Sequence, residues 1–400
     1  MFTFALKECI FQWIMIINRA IEHPIKQTKD KYPIIAVTGP RQSGKTTLLK
    51  NLFNDYQYVN LEDPDMRDFA EKDPRGFLKQ FSENVILDEA QRAPQLFSYI
   101  QGIVDDSGKM GQFILSGSQN FHLMQSITQS LAGRVAIFKL MPFDFQELKS
   151  ADLLNSNYIP QIIKGFYPAI YDRNIQPETF YPNYIETYVQ REVSQLIAIK
   201  DMRAFQRFIA LCATRAGQLL SLNGIANECG ISQPTAKSWL SALENSYIVF
   251  LLYPFHKNFS KRIVKTPKLY FYDTGLLSYL LKINDETRLF NQSIKGALFE
   301  NMIIAEQIKR MHHKDERQTD VWFWRDSEGN EVDLLIQRPK QHEIVEIKAT
   351  ATISSKLFDG LNNFATLANE SRLVKTLVYG GTEYQQRSTG NAVPWYEFGK

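Results

Sequence analysis

Hydrophobic positions in the first third of the chain alternate between short continuous runs and stretches with helical spacing. The apolar runs lie at Ile34–Thr38, at 84–88 and at 112–115, and polar residues follow each of them. Continuous runs of this length are typical of strands buried on both faces, and the amphipathic stretches between them predict helices. The order of these elements predicts a mostly parallel sheet with helices on both of its faces.

The middle of the chain has a different pattern. Residues 143–215 are helical in spacing and rich in Tyr and Phe, which we expect to lie in a core or an interface. Helices are predicted at 222–229 and 233–244 around a turn at 230–232, with Ser232 as the N-cap and Pro234 in the first turn. This is a helix-turn-helix pattern, and predicted strands at 248–252 and 268–272 would add a wing.

The last hundred residues predict a second α/β unit. Its predicted order is helix, three strands, helix and strand, at 296–310, 321–324, 331–336, 343–348, 356–367 and 375–379. Alternation along the third of these strands places Glu346 and Lys348 on one face and Ile347 on the other.

A length of 400 residues predicts two or three domains. We place them at 18–145, at 146–290 with a winged helix-turn-helix at about 205–275, and at 291–400. The apolar segment 1–17 is interrupted by Lys7 and Glu8, is too short to span a bilayer, and lacks the features of a signal peptide. It predicts either a start of synthesis at Met15 or an amphipathic helix.

Composition narrows the class of protein. With 44% hydrophobic and 22% charged residues, the chain is neither disordered, collagen-like nor a disulfide scaffold. The net charge of +3 is too small to predict nucleic-acid binding by the whole molecule. Three scattered cysteines, Cys9, Cys212 and Cys229, favour a reducing cytoplasm without structural zinc, and no membrane association is expected.

A phosphate-binding motif follows the first predicted strand. The residues GPRQSGKT fit G-x-x-x-x-G-K-[ST] between a strand and a helix, which is the context that this motif requires. Lys45 would reach the β- and γ-phosphates, and the Thr46 hydroxyl would ligate Mg²⁺. The predicted nucleotide-binding residues are Gly39, Pro40, Arg41, Gln42, Ser43, Gly44, Lys45, Thr46, Thr47 and Ser116.

Two carboxylates end the second predicted strand. Asp88 suits a Mg²⁺ contact, and Glu89 is placed to polarise an attacking water, so the pair predicts nucleotide hydrolysis. Ser116 and Ser118, with Gln119 behind them, are either sensors of the γ-phosphate or part of a plain turn. Arg134 is either an arginine finger, acting within the chain or across subunits, or a member of a surface salt bridge.

The C-terminal unit holds a second set of charged residues. We expect Glu300, Asp333 and Glu346 to gather around a hard cation, Mg²⁺ or Mn²⁺, with Lys348 orienting a water and offsetting phosphate charge. A domain that has lost its activity could keep this arrangement without catalysing a reaction. His312 and His313 are expected in a solvated loop.

Basic residues are concentrated near the predicted wing. Between Asn245 and Tyr272 the chain has no Asp or Glu and five basic residues, Lys257, Lys261, Arg262, Lys265 and Lys268. This patch could meet DNA phosphates. Winged helices also pack against protein surfaces, and the second helix offers little basic charge beyond Lys237.

The blocks GPRQSGKTTLL, ILDEAQ, LSGSQ and SLAGR together resemble those of the prokaryotic AAA-type ATPases that carry a C-terminal domain of unknown function. The resemblance continues through GFYPAI at 165–170, YIETYVQREV at 184–193 and KLYFYDTGLL at 268–277. It implies a P-loop NTPase fold that binds and hydrolyses ATP. The C-terminal element order, with Asp followed by Glu-x-Lys, resembles the restriction-endonuclease-like fold.

The expected fold class is therefore α/β, with a P-loop sheet, a helical and winged-helix middle, and a restriction-endonuclease-like domain. The expected function is Mg²⁺-dependent ATP hydrolysis coupled to DNA binding or processing. Two alternatives stand beside it: an ATPase switch whose nuclease-like domain is inactive, and a protein-remodelling scaffold. Assembly into a homo-oligomer is also possible.

Overall fold

The computed structural model describes residues 16–118, 127, 129–193, 199, 201–255, 265–290, 294–316, 319–339, 341–368 and 373–399. Its strands form a five-stranded, a two-stranded and a six-stranded sheet within these ranges. The strands are Ile34–Thr38 (β1), Gln57–Asn60 (β2), Val85–Asp88 (β3), Phe113–Gly117 (β4), Val135–Lys139 (β5), Val249–Leu252 (β6), Lys268–Phe271 (β7), Asp320–Arg325 (β8), Glu331–Gln337 (β9), His342–Lys348 (β10), Leu373–Tyr379 (β11), Gln385–Arg387 (β12) and Gly390–Pro394 (β13).

The described α-helices are Glu22–Lys29 (α1), Lys45–Leu52 (α2), Pro64–Lys72 (α3), Pro74–Gln80 (α4), Leu96–Ser107 (α5), Phe145–Ser150 (α6), Tyr158–Lys164 (α7), Pro168–Asp172 (α8), Pro177–Tyr184 (α9), Met202–Thr214 (α10), Leu222–Cys229 (α11), Gln233–Asn245 (α12), Thr274–Leu280 (α13), Glu286–Phe290 (α14), Lys295–His313 (α15) and Asp359–Ala368 (α16). A π-helix, Ile185–Val193, continues α9, and 3₁₀ turns lie at Ala90–Arg92, Ser355–Phe358 and Trp395–Glu397.

The first sheet is parallel, in the order β2-β3-β4-β1-β5. Strand β1, which lies between β4 and β5, is buried along its whole length. Ile34 and Ala36 belong to the hydrophobic core on one face, while Ile35 and Val37 belong to the core on the other. Two covered faces explain why this strand is continuously apolar, and the predicted doubly covered parallel sheet is confirmed.

The middle of the chain is helical and aromatic, as the sequence predicts. Helices α11 and α12 are separated by Gly230, whose φ of 70° is left-handed, and Ser232 Oγ accepts a hydrogen bond from Thr235 N at 3.2 Å. Trp239 on α12 packs edge-on against Phe205 and Phe208 of α10. The antiparallel pair β6–β7 follows these helices.

The C-terminal sheet has the order β12-β13-β11-β10-β9-β8. Strand β10 pairs parallel with β11 and antiparallel with β9. Ile347 lies in the large core that also contains α15, whereas Ile344 lies in a separate core with α16, so helices cover both faces. The predicted elements are present, and the structure adds β12 and β13, which are short strands without a strong apolar pattern.

The large core joins residues of the helical middle to residues of the C-terminal unit, from Ile17 to Phe398. The predicted domain boundaries stay predictions. In the part of the chain that the structure describes, none of the helices has both the length and the apolar character needed to cross a bilayer. Cys212 and Cys229 are buried free thiols.

Candidate nucleotide-binding site and C-terminal carboxylate cluster

The predicted phosphate-binding loop lies between β1 and α2. Gly39 has a φ of 148°, and a Cβ at this position would overlap the carbonyl oxygen of Leu140. Gly44, with a φ of 94°, occupies the left-handed N-cap position of α2. Both positions require glycine, because the backbone conformation or the close contact leaves no room for a side chain.

Lys45 is the first residue of α2, and its side chain turns back into the loop. Its Nζ donates hydrogen bonds to the carbonyl oxygens of Gly39 at 3.0 Å and of Pro40 at 2.9 Å. The loop therefore holds a buried ammonium next to the exposed N-terminal amides of a helix, where an anion is favoured.

Asp88, at the end of β3, accepts hydrogen bonds from neutral donors on both carboxylate oxygens. Its Oδ2 receives Thr46 Oγ1 and the Tyr58 hydroxyl, each at 2.7 Å. Its Oδ1 receives the backbone N–H of Glu89 at 3.2 Å and the hydroxyl of Ser116. Burial, and then the hydrogen bond and charge of Asp88, raise the pKa of Tyr58. The phenol therefore stays protonated and remains a hydrogen-bond donor to Asp88.

Glu89 follows directly, in a left-handed conformation with a φ of 53° that is uncommon for a residue with a side chain. Its Oε2 accepts hydrogen bonds from Gln91 Nε2 at 2.5 Å and from Ser118 Oγ at 3.3 Å. The two serines at the end of β4 therefore each donate a hydrogen bond to one carboxylate, Ser116 to Asp88 and Ser118 to Glu89. Gln119 lies outside the described residues.

A cavity of about 350 Å³ opens over this constellation. Both carboxylates line it together with six of the ten predicted nucleotide-binding residues: Arg41, Gln42, Gly44, Lys45, Thr46 and Thr47. The other four, Gly39, Pro40, Ser43 and Ser116, are not among the lining residues. Part of its wall was not predicted, and this part comes from the N-terminal segment and the helical middle: Ile16, Ile17, Arg19, Phe143, Pro168, Ala169, Asp172 and Arg173. Pro168 and Ala169 belong to the GFYPAI block, whose role the sequence does not reveal.

Arg19 is an unpredicted residue that contacts the loop directly. Its guanidinium donates to the carbonyl oxygens of Ser43 at 2.9 Å and of Met141 at 2.7 Å, and its Nε donates to Glu147 at 3.0 Å. It also lies over the ring of Phe143. This buried arginine therefore connects the phosphate-binding loop to the start of the helical middle through hydrogen bonds to both.

Arg134 does not lie at the nucleotide cavity of its own chain. It precedes β5, whose Val135 pairs with Ile34 at one end of β1 while Lys139 pairs with Thr38 at the loop end. Arg134 is five residues before Lys139, so about 16 Å of strand separates its backbone from the loop end of the sheet. Its guanidinium instead makes two hydrogen bonds to Asp105, at 2.6 and 2.8 Å. The prediction that Arg134 is an arginine finger for the site of its own chain is therefore wrong, and the predicted surface salt bridge is confirmed. A role of Arg134 across subunits stays a prediction.

The predicted basic wing is only partly described, because Lys257, Lys261 and Arg262 lie outside the described residues. Lys265 is exposed. The prediction that Lys268 belongs to the basic patch of the wing is wrong. Its side chain is only 3% exposed, and its Nζ pairs with Glu300 at 3.2 Å and with Glu331. Strand β7 runs into the core beneath α15, which carries this lysine away from solvent.

Lys268 lies among four acids that we name the C-terminal carboxylate cluster: Glu300, Glu331, Asp333 and Glu346. Burial lowers the pKa of Lys268, but the charges of Glu300, Asp333 and Glu331 outweigh it and hold the pKa above its usual range. Glu331 was not predicted as a member. Glu300 Oε1 also accepts a hydrogen bond from Tyr270 at 2.6 Å.

The second half of the cluster surrounds Lys348. Its Nζ lies 2.5 Å from Glu346 and 3.7 Å from Asp333, and Asp333 also accepts a hydrogen bond from Ile347 N at 2.8 Å. Glu346 Oε2 is buried without a hydrogen-bond partner. Burial and the charge of Asp333 raise the pKa of Glu346 to about 7. Glu346 and Lys348 therefore share a face, as the alternation predicts.

The three predicted cation ligands do not converge to ligand distance. In the described part of the chain, Asp144, Glu147 and His313 are the group whose ligand atoms all lie within 4.8 Å of one another. Glu300, Asp333 and Glu346 do not form such a group, because Lys268 and Lys348 separate and neutralise them. A cation at this cluster stays a prediction.

The predicted solvated loop at His312 and His313 is wrong, because α15 extends through both residues. Burial lowers the pKa of His312 to about 3. His313 Nε2 accepts a hydrogen bond from Met141 N at 3.2 Å, so its Nδ1, 2.9 Å from Asp144, carries the proton and donates it. Asp144 and Glu147 also cap α6, so these three residues form a junction held by hydrogen bonds.

Comparisons with known proteins agree with this architecture. Residues 31–149 match the family described as AAA domain, residues 155–287 match a domain of unknown function (DUF8612), and residues 295–398 match another (DUF4143). The chain is similar to the uncharacterized proteins Rv2008c of Mycobacterium tuberculosis and Mb2031c of Mycobacterium bovis, with 29% identity over 345 residues in each case. Each alignment covers 85% of this chain and 76% of the relative.

Among solved structures, the Walker-type ATPase PABY2304 of Pyrococcus abyssi aligns with a TM-score of 0.45 at 15% identity, over 66% of this chain and 96% of that one. The family assignment rests on the AAA match, which spans the parallel sheet and its phosphate-binding loop. Residues 31–149 belong to the AAA-type P-loop ATPase domains, and a C-terminal domain of unknown function follows them at 295–398, as in the prokaryotic ATPases that the motifs resemble.

Proposed function

We propose that the chain hydrolyses ATP with the help of Mg²⁺ at the cavity beside the phosphate-binding loop. The observation that carries this proposal is the 2.7 Å contact between the Thr46 hydroxyl and the Asp88 carboxylate. The contact brings together one oxygen from each of the two predicted motifs. Oxygen ligands of this kind suit Mg²⁺, and the Asp88 charge is surrounded by neutral donors that leave it available to a cation.

Each residue of the site has a separate task in this proposal. The loop amides, the N-terminus of α2 and Lys45 would bind the phosphates. Thr46 and Asp88 would hold Mg²⁺, which neutralises phosphate charge when it is bound. Glu89, oriented by Gln91 and Ser118, would orient and polarise the attacking water.

The apolar wall of the cavity supports a nucleotide with a base rather than a phosphate alone. Ile16, Ile17, Phe143 and Pro168 line the same cavity as the loop. Ligand sites of this mixed kind use apolar side chains for the bulk of the ligand and a few polar groups for its orientation. We therefore assign the adenine ring to this wall.

Two substitutions separate binding from turnover. Lys45→Ala should abolish binding of a fluorescent ATP analogue, since it removes the buried charge of the loop. Glu89→Gln should keep binding within about threefold but lower hydrolysis by about 100-fold or more, the range of a lost general base. The exposed residues Lys72 and Glu71 provide the matched controls Lys72→Ala and Glu71→Gln. Full ATPase activity in Lys45→Ala or Glu89→Gln would contradict the proposal.

A second candidate function is DNA cleavage by the C-terminal carboxylate cluster, linked to the ATPase. Glu346 Oε2 favours it, because a buried carboxylate oxygen without a partner suits a hard cation or a water. The four acids face three cations, Lys268, Lys348 and Arg325, so the formal charge without protonation is −1, which still favours a cation.

Cleavage should be measured with Mg²⁺ or Mn²⁺, with and without ATP, on supercoiled, linear, branched and single-stranded DNA. Asp333→Ala and Lys348→Ala, purified in the same way, should both lose activity that belongs to this protein. Intact DNA with every substrate would favour the alternatives, an ATPase switch or a protein-remodelling scaffold.

We also propose that helices α11 and α12, with β6 and β7, act as a winged helix that contacts DNA. The exposed Lys237 and Lys265 support this. Charge reversal at Lys261, Arg262 and Lys265 should weaken DNA binding and reduce its salt dependence, which a filter-binding titration would measure. Unchanged binding would favour protein contact for this module.

A further inference from the structure

A second cavity lies in the C-terminal unit, among side chains that do not take part in either cluster above. Its volume is about 590 Å³, and it lies between the last turns of α15, strands β10, β11 and β13, and the segment 397–399. Two buried polar side chains of α15, Gln307 and Arg310, line it one turn apart.

Both side chains are almost fully buried, and both have polar atoms without hydrogen-bond partners. Arg310 is 4% exposed and Gln307 is 1% exposed. The Nε and Nη1 atoms of Arg310 and both polar atoms of the Gln307 amide are unpartnered. A buried charge without a partner destabilises the fold, so its presence at a cavity wall points to a ligand that supplies the missing acceptors.

The C-terminal segment 397–399 packs closely against the guanidinium of Arg310. Gly399 has a φ of 80°, and a Cβ at this position would overlap Arg310 Nη1. A side chain at 399 would therefore push the guanidinium away from its present position. Glycine is required both by the backbone conformation and by this contact.

The charged residues that line the cavity determine which class of anion it can bind. Glu343 pairs with Arg338 at 3.2 Å and accepts a hydrogen bond from Thr376 at 2.6 Å, while Glu316 and Glu397 line the cavity together with Lys314. A dianionic phosphate would be repelled by these carboxylates. A single carboxylate matches the planar fork of an arginine, and a cationic group on the same molecule would be attracted to the acids.

We propose that this cavity binds a small carboxylate that also carries an ammonium group, the chemical class of a free amino acid. The carboxylate contacts Arg310, and the Gln307 amide donates a further hydrogen bond to it. The ammonium lies toward Glu316. This site is independent of the proposed ATPase site, which lies at the other α/β unit.

Calorimetric titration of the full chain tests the proposal with six probes at constant ionic strength: glycine, β-alanine, lysine, acetate, methylammonium and inorganic phosphate. At least one amino carboxylate should bind saturably, with a Kd of about 1 mM or lower, and more tightly than acetate or phosphate. Tighter binding of phosphate, or no saturable binding by any amino carboxylate, would overturn the proposal.

Substitutions assign any binding to this cavity. Arg310→Met should remove binding and leave the unliganded protein at least as heat-stable as the wild type, because an unpaired buried charge is lost. Gly399→Ala should weaken binding at least tenfold by displacing the guanidinium, and it keeps the proposal testable if Arg310→Met fails to fold. Arg203→Met, at an exposed arginine, is the control. Wild-type binding in both Arg310→Met and Gly399→Ala would place the ligand elsewhere and overturn the assignment.

Discussion

The nucleotide site and the C-terminal carboxylate cluster both gather acids in partly buried surroundings, but they compensate for the burial differently. Asp88 receives hydrogen bonds from two hydroxyls, a phenol and a backbone amide, all of them neutral. The C-terminal cluster instead pairs its acids with Lys268 and Lys348. Neutral donors fix a carboxylate in place without cancelling its charge, whereas lysines cancel the charge that would attract a metal.

The comparison teaches that a set of acids with suitable spacing is not by itself a cation site. Both sets match a metal-binding pattern in the sequence, but only the first presents its charge without an internal counter-ion among the contacts described. The second needs a rearrangement of Lys268 or Lys348, or a proton on Glu346, before its oxygens can converge.

The largest expected effect is a loss of ATP hydrolysis when one carboxylate of the nucleotide site is neutralised, compared with the same change in the C-terminal cluster. Asp88→Asn should lower ATP hydrolysis by about 1,000-fold, since the amide keeps the shape but loses the charge that holds Mg²⁺. Asp333→Asn should leave ATPase activity within about twofold. Steady-state ATPase assays over a Mg²⁺ series would measure both, and an equal loss in the two variants would mean that the sites act as one.

An intermediate effect is expected from removing the internal counter-ion of the second cluster. Lys268→Met should lower the free energy of unfolding by about 3 kcal/mol, because Glu300 and Glu331 would be left without their buried partner. Mn²⁺ should restore part of this loss if the acids can hold a metal. Urea unfolding with and without Mn²⁺ would measure it, with the exposed Lys265→Met as the control. No change in stability would show that the lysine is not the main compensation.

The smallest effect, when expressed per pH unit, tests the same principle at a buried acid outside both sites. Both oxygens of Glu306 lie 3.1 Å from Phe145 N, and Lys309 Nζ is 3.6 Å away, yet burial raises the pKa of Glu306 to about 8. The folded protein therefore keeps a proton that the unfolded chain loses near pH 4.5. Its free energy of unfolding should fall between pH 4.5 and 8, by up to about 1.4 kcal/mol per pH unit.

Glu306→Gln should reduce this slope, because an amide resembles the protonated acid and does not titrate. Urea unfolding at pH 5.5, 6.5 and 7.5 would show it, and Glu178→Gln, at an exposed position, should keep the wild-type slope. A slope that stays the same in Glu306→Gln would mean that other groups carry the pH dependence.

Much of the fold could be predicted because its signals are local. The continuous apolar runs at β1 and β3, the glycines of the phosphate-binding loop and the capped helix α12 each follow from a few neighbouring residues. Strands β12 and β13 could not be predicted, since their stability depends on pairing with β11 rather than on their own pattern.

The sequence by itself determined the phosphate-binding loop, the two carboxylates after β3 and the parallel sheet that carries them, because motif spacing and apolar periodicity act over short distances. Only the tertiary structure decided where single charged residues lie. It brought Arg19 onto the loop, buried Lys268 and His313, and moved Arg134 to the opposite edge of the sheet. Local sequence carries no record of these positions, since the partners that determine them are up to 172 residues away along the chain.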